Sequence, residues 1–142
     1  MGQTTELREE VKRVFVALLL SRGFVRDGKD SRLFWTFRRA EGGGDRVISV
    51  QWEKYDRPRF VVNFSVNPDT ATLLGHGRLQ PRPGALTWSW FRQDKPLLTR
   101  LFSTAKTYPV AEVVAEVVRL FPQIEEYWLS GTVGPQLRIH AA

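Results

Sequence analysis

Between Asp45 and Val66 the chain reads DRVISVQWEKYDRPRFVVNFSV, two alternating runs around a turn-rich centre. Ile48, Val50 and Trp52 fall on one side of the first run, with Ser49, Gln51 and Glu53 on the other. In the second, Phe60, Val62, Phe64 and Val66 share a side, while Val61, Asn63 and Ser65 take the opposite one. Period-two alternation of β-branched and aromatic residues marks a strand with one buried face. Pro58 fixes φ and brings no N–H, so Tyr55–Pro58 is expected to turn the chain between the two runs. This pair should form the middle of an antiparallel sheet.

Helical periodicity appears first at residues 5–22, where Leu7, Val11, Val14, Phe15, Leu18 and Leu19 make one apolar stripe. Thr4 or Thr5 is the expected N-cap, Glu9 and Arg13 an i,i+4 pair, and Gly23 a left-handed C′ residue that folds Phe24 back onto the helix. Val25–Ser31 reads as a charged loop. Leu33–Arg39 is the first expected strand, with Leu33, Trp35 and Phe37 facing the core, and Glu41–Asp45 turns it into the central pair.

Asn67–Gly84 is rich in Pro and Gly and reads as a long loop with a short strand or turn near Thr70–Leu74. Ala85–Phe91 alternates again, with Leu86, Trp88 and Trp90 inward, and is the fourth expected strand. Asp94 before Lys95-Pro96 predicts a helix to about Ser103. Another helix opens at Thr107–Pro109 with Val110, Val113, Val114, Val117, Val118 and Phe121 inward, and Pro122 should interrupt or kink it. Gln136–His140 is an expected edge strand, and weak order is expected at 1–4 and 130–142.

The whole is a single α+β domain, residues 1–142: an antiparallel sheet of four to five strands with N-terminal and C-terminal helices packed on one face. Its other face then carries Arg38, Gln51 and Asn63, and an antiparallel sheet can leave such a face open.

Composition narrows the function classes. The chain has 142 residues and no cysteine, which excludes disulfides, thiolate metal sites and cysteine nucleophiles. The apolar run Val14–Leu20 is short and follows Glu6, Glu9 and Glu10, unlike a signal peptide, and no run is long enough to span a bilayer. A cytoplasmic protein without a membrane partner is expected. The formal net charge is +6, with sixteen Lys and Arg against eight Asp and Glu at 22–106. Such a surface attracts nucleic acid or acidic proteins, and serves equally as a solvated surface.

No catalytic constellation is recognisable. Glycine-rich EGGGD lacks the Lys-Ser/Thr of a phosphate loop, and GHGRLQ departs from the dinucleotide pattern at Gln80. No cofactor is implied, and no cluster of His, Asp and Glu has metal-ligand spacing. His76 and His140 would make an acid–base pair if brought together, and nothing in their spacing does so. Glu125 and Glu126 read as a solvated helix face. Segments such as FWTFRR and WSWFRQDK mix rings with Arg, as single-strand binders do, but alternation sends most of those rings to the core.

The sequence also resembles the DUF4304 family, through Gly23-Phe24 closing the first helix, Phe37-Arg38, Gln51 and the VNFSV strand at Val62–Val66. The resemblance implies a small, mostly bacterial α+β domain whose function is not established, so it carries over no catalytic residues. Together these readings suggest a non-enzymatic protein-binding module using the polar sheet face and the 67–84 loop, or alternatively a nucleic-acid-binding protein. The candidate binding residues are Arg38, Gln51, Asn63, His76, Arg78 and Arg82.

Overall fold

Seven antiparallel strands form one sheet in this computed structural model, more than the four to five expected. The structure describes residues 3–28, 31–67, 76–81, 90–94 and 107–140. Strands are β1 (Val25–Arg26), β2 (Phe34–Arg39), β3 (Asp45–Trp52), β4 (Arg59–Asn67), β5 (His76–Leu79), β6 (Phe91–Arg92) and β7 (Leu137–His140). Their order is β1-β2-β3-β4-β5-β7, and β6 pairs with β4. A first helix, α1, covers residues 3–21, and α2 covers Val110–Ser130.

The central pair forms as its alternation predicts. Asp45 to Trp52 run antiparallel to Asn67 to Phe60, with Ile48 opposite Phe64 and Val50 opposite Val62. Glu53 closes the turn that follows. It is buried, and its carboxylate accepts the backbone N–H groups of Tyr55 at 3.1 Å and Arg57 at 3.0 Å. This leaves Asp56 in the left-handed region at φ 63°, a conformation that Asp tolerates better than most residues.

Helix α1 has three segments: α-helical Gln3–Glu10, a π turn over Val11–Val16, and α-helical Ala17–Ser21. Its fully buried residues Leu7, Val11, Phe15 and Leu19 recur every four residues. In an α-helix that spacing drifts by about 40° per step. The wider π turn reverses the drift and holds all four against the core. Thr4 does not cap the helix; its hydroxyl donates to the Asp56 carbonyl at 2.7 Å and ties α1 to the β3–β4 turn. Arg13 pairs with Glu10, rather than with Glu9. The Gly23 ending forms as expected: Gly23 has φ 87°, its N–H bonds Leu20, and the Phe24 N–H bonds Leu19 at 3.0 Å.

Helix α2 runs through Pro122 as one element, so Gln123–Leu129 continues it rather than forming a separate helix. Pro122 faces solvent, so the bond it removes lies on the outer side, where water takes its place. Val113, Val114, Val117, Phe121, Ile124, Tyr127 and Trp128 face inward. Phe121 packs edge-on to Phe15 of α1, and Tyr127 and Trp128 edge-on to Phe64 of β4. Both helices thus cover one face of the sheet, with Trp35, Phe37, Ile48, Val50, Trp52, Phe60, Val62 and Phe64 beneath them. No described helix is long and apolar enough to cross a membrane.

Other elements differ from expectation. Val25–Arg26 pairs with β2 instead of looping freely. Asn67–Gly84 contains an interior strand, β5, so His76 and Arg78 stand on a strand. Phe91, not Trp90, points inward, stacking on Phe60 at 5.6 Å. Asp94 is a buried ion-pair partner, bridged to Thr107, and the helix expected after it falls largely outside the described residues. So do Thr70–Leu74 and most of Ala85–Phe91.

Gly77 has a steric reason. Facing the helices opposite Phe64, it would place a Cβ against the Arg138 carbonyl and 2.9 Å from the Phe64 ring. Its hydrogen lets β7 close onto β5 beside that ring.

Candidate binding face

Alternation puts the polar half of each strand on the side away from the helices. Register then sets these side chains beside one another: Thr36 opposite Ser49, Ser49 opposite Asn63, and Asn63 opposite Arg78. Five of the six expected binding residues, Arg38, Gln51, Asn63, His76 and Arg78, share this face; Arg82 lies outside the described residues. Among the described residues no helix packs on it.

At the β1–β3 end, charge is balanced. The Arg38 guanidinium donates to Asp27 at 2.8 and 3.2 Å and to Asp45 at 3.2 Å. Those hydrogen bonds, Asp27's first, raise its pKa from the ordinary value. Arg38 is therefore a latch between β1, β2 and β3.

Toward β5, a polar chain replaces the ion pairs. The Asn63 amide donates to Gln51 Oε1 at 3.2 Å, and its own oxygen accepts Arg78 Nε at 2.7 Å. One bond from Nε orients the guanidinium and leaves its Nη edge for another acceptor. Among the described residues Arg78 meets no carboxylate. Beside it lies a shallow depression of about 720 Å³ lined by Val47, Ser49, Asn63, Phe64, Ser65, His76, Gly77 and Arg78. Ser49 and Ser65 are small, which leaves room for the depression.

Strand β7 extends the polar face. Arg138 pairs in register with Arg78, and the backbone of His76 with that of His140. The two histidine positions, unrelated in sequence, are thus brought together by the β5–β7 ladder. Sequence reasoning misses Arg138 as a candidate, although its place in the expected Gln136–His140 strand is the available signal. Among the described residues no group of three or more His, Asp or Glu could hold a metal.

Two further arginine clusters are structural. Arg59 and Arg92 each donate from Nη2 to Asp94 Oδ2 at 2.6 Å, a largely buried trio that clamps β6 to β4. On the helix side, Arg39 grips Glu125 at 2.7 and 3.0 Å and lies 4.6 Å from the Phe24 ring centroid. The Glu125 bond raises its pKa most, against burial, which lowers it. Glu125, expected on a solvated face, thereby fastens α2 to β2.

The class defined by this architecture is an α+β domain with a helix-covered sheet whose opposite face is polar and donor-rich. Comparison with known proteins finds no matching family model, curated protein or solved structure.

Proposed function

We propose that this chain is a non-enzymatic protein-binding module that takes an acidic segment of its partner on the open sheet face, using the 67–84 segment as well. The observation that carries the reading is Arg78, oriented by Asn63 and without a carboxylate among the described residues. An oriented guanidinium loses little further freedom when it meets an acceptor. A shallow, polar surface also suits a partner that comes and goes.

Immobilised wild-type, Arg38→Ala and Arg78→Glu proteins test the reading in affinity capture from native lysate. Wild type and Arg38→Ala should retain the same stoichiometric partner, and Arg78→Glu should lose it. Retention by Arg78→Glu, or no partner on any form, contradicts the proposal.

A second reading, nucleic-acid binding, is favoured by Arg59, Arg92, Arg78 and Arg138 on the β4–β7 side, where Asp94 is shared by the first two. It ranks second because the exposed ring described on this face, Phe34, belongs to β2 and not to that side. Binding of RNA or DNA that falls steeply with salt would promote this reading, and none at low salt would remove it.

A further inference from the structure

The depression beside Arg78 has a chemistry narrower than general attraction for acid. Five of its lining side chains can donate hydrogen bonds: Ser49, Ser65, Asn63, His76 and Arg78. None of its lining residues is acidic. The donors come from three adjacent strands, so they surround a ligand group from several directions.

A carboxylate is planar and has two oxygens, which Arg78 alone can satisfy through its Nη edge. That would leave the two hydroxyls without a role. A phosphoryl group presents three acceptor oxygens in a tetrahedral arrangement and about −1.5 to −2 charges near neutrality. It can meet the guanidinium and the surrounding neutral donors together. The exposed ring described on this face stands on β2, so no described stacking partner for a nucleobase joins these donors.

We infer that this depression is a recognition site for a phosphoryl group carried by a protein partner, the Nη edge of Arg78 taking two of its oxygens and Ser49 and Ser65 the third. The inference rests on the protein-binding reading and specifies the chemistry of its anchor. Arg78 is the charged anchor and Asn63 its positioning residue.

The test is an NMR titration following Arg78 Nε and the backbone amides of Ser49, Ser65 and Gly77. Its arms are inorganic phosphate, a phosphoserine peptide, the same peptide with glutamate at that position, and a single-stranded RNA of equal charge. The phosphoserine peptide should saturate these signals at least roughly tenfold more tightly than the glutamate peptide. Inorganic phosphate should shift the same signals more weakly. Arg78→Ala should abolish the shifts, Asn63→Ala should weaken them, and Arg38→Ala should preserve them.

Equal affinity for both peptides at Arg78 overturns the phosphoryl inference and leaves the acidic-partner reading standing. No response to either peptide overturns both. Tighter binding of RNA at the same signals makes the ligand a nucleic-acid phosphate and also overturns the inference. Undiminished binding by a folded Arg78→Ala protein shows that the anion sits elsewhere, which overturns it as well.

Discussion

Arg38 and Arg78 stand on one face of one sheet, yet their surroundings give them different work. Arg38 is surrounded by carboxylates, Asp27 and Asp45, one just past β1 and one at the start of β3. Its charge is satisfied inside the molecule, holding a two-residue edge strand in place. Among the described residues Arg78 is met by the neutral amide of Asn63, which fixes its direction. A guanidinium that is oriented and, among the described residues, meets no carboxylate suits a binding site, whereas one held by two carboxylates suits a latch. An arginine's role is thus decided by what register places opposite it.

The largest effect is expected where compensation is buried. Arg59 and Arg92 share Asp94 in a mostly enclosed trio, so Asp94→Ala leaves two charges without their counterion. It should cost about 3–5 kcal/mol of unfolding free energy, measured by urea denaturation. Gly77→Ala comes next, at about 2 kcal/mol, because β7 must move away from β5 or the Phe64 ring must yield. Loss of amide-exchange protection in β7 before the rest of the sheet would identify the former.

The contrast can also be erased. Ser65→Asp puts a carboxylate in the depression and makes Arg78 resemble Arg38. Its effect on stability should stay within about 0.5 kcal/mol, as is usual for surface substitutions, while ligand affinity falls by at least an order of magnitude. Affinity unchanged in a folded protein would show that the ligand does not use this depression.

The smallest effect belongs to an exposed pair on α1. Hydrogen bonds from Arg13 hold the Glu10 carboxyl below its ordinary range. A depressed carboxylate contributes stability that is present above its unfolded pKa and lost as pH falls through the folded one. The stability gap between wild type and Glu10→Gln should therefore be slight near neutrality and close on acidification. A gap that widens in acid would contradict the assignment.

The parts legible in the sequence are those whose signals are local. Strands β3 and β4 alternate over eight and nine residues, and the Gly23-Phe24 stop needs only neighbouring positions. Strand β5 is hidden because HGRL has four residues, with glycine at an inward position and Leu79 as its one apolar side chain. Pro122 leaves a break and a continuation equally open in the sequence, and the helix continues with its proline on the exposed side. Arg38 and Arg78 are both visible as candidates. Their difference is not, since Asp27, Asp45 and Asn63 reach them through strand pairing.

The most direct measurement compares Arg38→Ala and Arg78→Ala, each assayed for unfolding free energy and for affinity toward the phosphoserine peptide. Arg38→Ala should lose about 1 kcal/mol of stability, as expected for partly exposed ion pairs, and keep its affinity. Arg78→Ala should keep its stability and lose its affinity. Equal losses of affinity in both, or loss in Arg38→Ala alone, would contradict the division of labour between the two arginines.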